Sequence, residues 1–202
     1  GKWRWTSGTC TQRIVPVEAK VDSGWVNDMV AFDGKLVIGG RFSGMNGIPA
    51  RNILAWDGGT GVDDLGLSIP GGGVGVYDVM RFQNGVVFDG GVLPAYRHVY
   101  FWNGDTTVIL GDYNSGAIRC FAEFNGELYA GGGFTTMNGD SIRRLAKWDG
   151  NTWTEVGTGL NDRVQAMEVY DGSLFIGGVF TSSGDNSQEL MHIARCDGST
   201  MH

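Results

Sequence analysis

Histidine, cysteine and proline are scarce in this 202-residue chain, at 3, 3 and 4 residues, and each shortage closes off a class of function. Cys10, Cys120 and Cys196 are odd in number and form no C-x-x-C pair, so neither a disulfide scaffold nor a zinc site is indicated, and at least one thiol stays free. His98, His192 and His202 stand in no metal-ligand spacing. Basic residues are outnumbered: 15 Lys and Arg against 22 Asp and Glu give a formal net charge of −7 without any basic cluster. That balance argues against phosphate-driven nucleic-acid binding and against attraction to an anionic membrane surface. No apolar run approaches the ~18–20 residues of a spanning helix. No N-x-[ST] acceptor occurs, and the start Gly1-Lys2-Trp3 is neither an initiator Met nor a signal peptide. The expectation is a chain excised from something longer, with no membrane insertion and no cofactor.

Glycine, by contrast, is plentiful at 35 residues, and it falls at fixed places. Aligning on Gly34, Gly85, Gly126 and Gly172 puts a doublet at the same distance each time: Gly39-Gly40, Gly90-Gly91, Gly131-Gly132 and Gly177-Gly178. A second landmark follows in Trp56-Asp57-Gly58, Trp102-Asn103-Gly104, Trp148-Asp149-Gly150 and Cys196-Asp197-Gly198, spaced 46, 46 and 48 residues apart. A period of roughly 40–50 residues is that of a four-stranded propeller blade. Within each unit, Asp-Gly or Asn-Gly pairs supply the positive φ angles of two-residue hairpins. In the third unit strands are expected over 117–124, 127–132, 142–148 and 152–157. The second strands, such as Leu36-Val37-Ile38 and Leu128-Tyr129-Ala130, are apolar on both faces, as in a sheet covered on both sides. Phe42, Phe134 and Phe180, with Leu93 in the second unit, are the expected filling beside the doublets.

These signals predict one all-β domain over 1–202, a propeller of four antiparallel four-stranded blades with repeats at 24–72, 73–115, 116–161 and 162–202. Residues 1–8 resemble the outermost-strand segment 151–157, while the fourth unit stops where its own last strand begins. Residues 1–8 are therefore expected to close the ring by completing the last blade, removing two sheet edges. Residues 9–23 read as an insertion. The alternative is a fragment cut from a larger propeller.

The GG-x-F and A-x-W-D-G patterns resemble those of the kelch-like repeat propellers, including the central domain of galactose oxidase, over roughly residues 24–200. The resemblance implies a fold and not an activity. The copper chemistry of galactose oxidase needs two Tyr and two His ligands with a Cys-Tyr cross-link, and the three histidines here offer no such set.

Candidate binding residues come from the repeat itself. Arg51, Arg97 and Arg143 each stand five residues before the unit's Trp, with Met191 at the fourth place, and beside them come Asn52, His98, Arg144 and His192. Guanidiniums gathered at one end of a ring bind carboxylate or phosphate bidentately; on blade edges they merely cover apolar surface. Arg51, Arg97, Arg143, His98 and His192 are thus the candidate ligand-binding set, with no catalytic or metal residues. Asp185 and Glu189 do not reproduce a calcium loop. The function expected is a non-enzymatic structural or binding module on an extracellular, cell or virion surface, its partner a protein, a glycan or a neighbouring subunit. The alternative is a glycan hydrolase or lyase using the arginine rim with Asp185 or Glu189.

Overall fold

The computed structural model describes residues 19–67, 75–92, 96–198 and 200–202; the expected closing strand at 1–8 and Leu93 lie outside these. Among the described residues the chain is all β, in four antiparallel sheets, one for each sequence unit. The first contains β1 (Val21–Phe32), β2 (Lys35–Met45), β3 (Ile48–Pro49), β4 (Ile53–Trp56) and β5 (Val62–Asp63). The second is built from β6 (Val79–Phe82), β7 (Gly85–Val92), β8 (Tyr96–Trp102) and β9 (Thr107–Asn114). The third unit supplies β10 (Ile118–Phe124), β11 (Glu127–Gly132), β12 (Thr136–Met137), β13 (Asp140–Ser141), β14 (Leu145–Trp148) and β15 (Trp153–Glu155). The fourth sheet has β16 (Val164–Tyr170), β17 (Ser173–Gly178) and β18 (Ile193–Cys196).

The third sheet has the expected four strands, β10-β11-β14-β15, and the other three depart from that number. The β12–β13 hairpin leaves its own unit and pairs with β9, giving the second sheet six strands. Asn138 is the reason: its backbone N–H donates to Asp112 O at 2.7 Å, and its side-chain oxygen accepts the Asp112 N–H at 2.8 Å. In the fourth unit the chain's own Met201 bridges to Cys196, and Arg195 and His202 exchange two backbone hydrogen bonds of 2.8 Å. Met201 and His202 therefore occupy the first positions of a fourth strand there, as Trp153 opposite Trp148 does in the third sheet. Val21 to Ser23, expected in the insertion, belong to β1.

The hairpin glycines also need a correction. β1–β2, β10–β11 and β16–β17 turn on Asp33-Gly34, Asn125-Gly126 and Asp171-Gly172, all with positive φ. In the second unit Phe82 pairs with Gly85, so the turn is Gln83-Asn84, one residue earlier than expected. Gly85 lies in the strand at a place only glycine fits, since a Cβ there would be 2.4 Å from the Phe101 ring and from the Trp102 carbonyl oxygen. The shift puts Asp89, not Gly90, opposite Val99, where Gly39, Gly131 and Gly177 oppose Ile53, Leu145 and Ile193.

Side chains alternate between two faces of each sheet, and both faces are apolar. Three cores form between successive sheets. The first sheet meets the second through Val37, Ile53 and Ala55 against Val79, Phe88 and Trp102. The second meets the third through Val87 and Val99 against Phe121, Leu128 and Ala146. The third meets the fourth through Tyr129 and Leu145 against Leu174, Ile176 and Cys196. The same register positions recur: each of the first three sheets receives the next one on a trailing face, each of the last three enters the previous one with a leading face, and the corresponding faces of the fourth and first sheets are named in the same way. A fourth cluster, including Ile38 and Leu54 with Trp56, lies on the leading face of the first sheet.

The landmark tryptophans are equivalent, opposing Leu36, Val86 and Leu128, and Cys196 opposes Leu174 at the same place. Of the three rings only Trp102, 1% exposed, is fully enclosed; Trp56 and Trp148 are half-buried. Phe42, Phe134 and Phe180 are buried as expected. Replacing Trp102 with Ala should destabilise the fold by about 3–5 kcal/mol through lost burial and the cavity left behind. Trp56→Ala should cost clearly less in the same urea titration, and equal losses would contradict this placement of the two rings.

Candidate functional site

The rim candidates owe their position to one local feature. Asn52, Arg144 and His192 all adopt positive φ, at 68°, 70° and 75°, and each carbonyl accepts the N–H of its unit's second glycine, Gly40, Gly132 or Gly178. This left-handed step lets the third strand begin, and it leaves Arg51, Arg143 and Met191 at the same end of their sheets, away from the β1–β2 type hairpin turns. The second unit has no such step: Arg97 and His98 continue a regular ladder opposite Gly91 and Gly90.

Shared register does not make a shared site. Arg51 is exposed. Arg143 is tied to Glu155, Nε to Oε1 at 3.3 Å, and its Nη1 donates to Gly184 O at 3.0 Å. Arg97 lies close enough to Asp89 and Tyr113 to influence both. His98 Nδ1 sits 2.5 Å from Asp112 Oδ1, and its ring packs edge-on against Tyr100. His192 is exposed. Among the described residues, no hydrogen bond or ion pair joins any two of these five.

The loop between β17 and β18 is densely hydrogen-bonded. Asp185 Oδ1 accepts from Ser183 Oγ and Ser187 Oγ at 2.7 Å, from Ser187 N at 3.1 Å and from Thr158 Oγ1 at 3.2 Å. Asn161 braces the same loop through Thr181 and Ser182. The hydroxyls of Ser183 and Ser187, ahead of the backbone donor, hold the Asp185 carboxyl well below its ordinary range. A carboxylate fixed in that form is a poor proton donor.

The residues that sequence reasoning missed lie where the first strands of successive sheets meet. Asp28 Oδ2 on β1 accepts the N–H of Val79 on β6 at 2.9 Å. One unit later Asp78, just before β6, repeats the contact, its Oδ2 accepting the N–H of Phe121 on β10 at 2.5 Å. Val79 and Phe121 occupy equivalent positions, opposite Phe88 and Ala130. Cys120 and Ala166 hold the corresponding places in the third and fourth units, opposite Gly131 and Gly177. Asp89, 1% exposed, completes the junction by accepting from Tyr77 N at 2.7 Å, Asp78 N at 3.3 Å and Tyr113 Oη at 3.2 Å. A lone Asp inside the apolar run Val-Val-Phe-Asp was the only sequence trace of this arrangement.

Burial is the main cause that pushes the Asp89 carboxyl up to about 7, against its backbone hydrogen bonds and Arg97, which pull it down. Asp78 is raised by burial and then by its hydrogen bond with Asp28, with the Asp28 and Asp89 charges adding to the effect. Burial also raises the Cys120 thiol, followed by the charge of Asp78. The junction holds its protons near neutrality and spends its oxygens on backbone N–H groups, which makes it a fastening between sheets. No protein-family signature, curated protein or solved structure matches this chain.

The pH consequence has a definite sign. A carboxyl whose folded pKa lies above its unfolded value of 3.8 resists ionisation in the fold, so its contribution is complete below about 4 and is lost as pH rises through about 7. Urea stability should therefore fall by on the order of a few kcal/mol between those limits. Asp89→Asn keeps the acceptor without the ionisation and should flatten the slope; an unchanged slope in that variant would remove Asp89 as its source.

Proposed function

We propose that the chain is a non-enzymatic β-propeller module that binds a protein or glycan on an extracellular, cell or virion surface, its four sheets being blades around an axis lined by the first strands. What supports the blade reading is the repeated leading-to-trailing packing together with the equivalent Asp28 and Asp78 fastenings, which carry one geometric operation from sheet to sheet.

The observation that carries the binding reading is the preordered loop from Thr181 to Leu190 beside the exposed Met191 and His192. A loop whose polar groups are already fixed loses little entropy when it meets a ligand, and an exposed apolar side chain at its root supplies contact area. The arginines contribute less than their spacing promised, since Arg143 spends its guanidinium on Glu155 and Gly184.

The glycan-cleaving alternative requires a carboxylic acid with a raised pKa facing substrate. Asp185 is held in the opposite sense, and the raised pair Asp78 and Asp89 is engaged in joining sheets. A glycan array and a display of surface-protein peptides, each probed with the chain and with Met191→Lys, test both readings. Capture that weakens in Met191→Lys, with no new reducing ends released from the bound polysaccharide, is the expected result. Reducing ends that vanish in Arg97→Ala would establish the enzyme instead.

A further inference from the structure

Each trailing face in this protein ends in an aromatic at its hairpin tip, and the first three of these aromatics have a seat on the next sheet. Phe32 meets Trp102 edge-on, with ring centroids 5.8 Å apart. Phe82 shares a core with Trp148, and Phe124 with Cys196, the residues that stand where Trp102 does. The fourth tip aromatic is Tyr170, 71% exposed, and across its sheet Ile193 is 61% exposed, although the equivalent Ile53, Val99 and Leu145 are all fully buried. Conversely, Trp56 is the one landmark ring with no tip aromatic assigned to it among the described residues, and Met29 on the same leading face is 52% exposed, whereas its equivalents Val79 and Phe121 are buried. Among the described residues the chain thus displays an unused tip and an unused seat that are not brought together: the ring that Tyr170 contacts is Phe175 of its own sheet.

A second observation points the same way. Asn46 grips Lys20 through two hydrogen bonds of 3.0 Å, the same pair of bonds by which Asn138 grips Asp112 in β9. The next residues agree, Ser23 contacting Ser43 as Ser115 contacts Thr135. Since β9 is the fourth strand of the sheet preceding the third, the segment Lys20–Asp22 has the geometry of the end of a fourth strand belonging to a sheet that precedes the first. Met201 and His202 begin such a strand on the fourth sheet.

We propose that the trailing face of the fourth sheet docks the leading face of the first sheet of a second copy of this chain, with Tyr170 seated on Trp56 of the partner subunit. The proposal rests on reading the sheets as propeller blades. The junction is head-to-tail, and used twice it closes two four-sheet arcs into one ring of eight sheets, within the ~4–8 blades usual for propellers. It continues an interface the chain already makes three times with the same register positions. Its centre is apolar, through Tyr170, Phe175 and Ile193, and Glu168 and Arg195 flank Phe175 at the strand positions on either side.

Sedimentation should show a particle of twice the 21.7 kDa chain mass. Tyr170→Lys, at an exposed position, should keep the circular dichroism while raising the dissociation constant by ~30-fold or more, as loss of a central aromatic does. Mixing an Ile193→Cys chain with a Met29→Cys chain under mild oxidation should give a mixed disulfide between two copies, absent when wild-type chains are mixed. A monomer at all concentrations, or a dimer indifferent to Tyr170→Lys, overturns the second copy. The Ile193→Cys/Met29→Cys double variant separates the two levels: a disulfide within one monomer means the ring closes on itself, which keeps the blades and removes the dimer. A monomer that forms neither disulfide removes both.

Discussion

A sheet that is apolar on both faces cannot stand alone in water, and every second strand here is of that kind. Val37, Val87 and Tyr129 point one way, and Leu36, Val86 and Leu128 point the other. At roughly 25 cal/mol for each Å² of apolar surface removed from water, covering both faces is the main term available to a chain whose described residues hold no helix or disulfide. That requirement sets the order of everything else. Successive sheets must stack, their spacing must be uniform, and bulk at each contact must be matched by its absence opposite. A glycine within the second strand supplies the absence in the first and third sheets: a Cβ on Gly39 would lie 2.5 Å from a Val79 methyl, and one on Gly131 equally close to Val164.

Stacking alone leaves backbone groups to be satisfied where the first strands converge, because each borders a neighbouring sheet and has no ladder partner on that side. An unpaired buried N–H costs about 1–3 kcal/mol. Asp28 and Asp78 answer the need for Val79 and Phe121, and Asn27 adds a bond from its side-chain amide to Val76 O at 2.7 Å. Using carboxylates where water is excluded raises their pKa values, so the fastening gains geometric definition at the expense of sensitivity to pH. Asp89 shows the same trade in the second unit. Occupying the place glycine holds elsewhere, it is accommodated because Tyr77, Asp78 and Tyr113 all donate to it.

Much of this was legible in advance because it repeats. The units, the equivalence of Trp56, Trp102, Trp148 and Cys196, the two-faced second strands and three of the four first hairpins all follow from spacing and from turn chemistry. The second unit defeated that reading because Asn84-Gly85 looks like a type I′ pair, whereas the Phe101 ring, distant in sequence, claims the space above Gly85. The exchange of β12–β13 into the second sheet was hidden for a similar reason. Asn138 looked like a turn residue, and its grip on Asp112 is a tertiary fact. The rim arginines share a register position, yet Glu155 beside Arg143, and Asp89 and Tyr113 near Arg97, come from strands whose proximity no local pattern encodes. The Asp28 and Asp78 fastenings escaped because Asp28 follows the register shift inside β1 and Asp78 stands one residue before β6, where periodicity is weakest.

The division of labour between face and rim explains why the repeat can be strict in one place and loose in another. A change on a sheet face must be matched on the neighbouring sheet, so Leu, Val, Ala and Trp recur there. The left-handed step at Asn52, Arg144 and His192 relieves the rim of that coupling. Past it the side chain belongs to no ladder, and three different residues tolerate the same φ because their carbonyls are held by the glycine N–H in each case. Arg144 reinforces its own strained backbone by donating Nη1 to Gly133 O and Phe134 O. Residues beyond the step can therefore differ from unit to unit at little cost to the fold, and the loop braced by Asp185 and Asn161 is where this protein has used that freedom most, which is the physical reason the proposed binding role is assigned there.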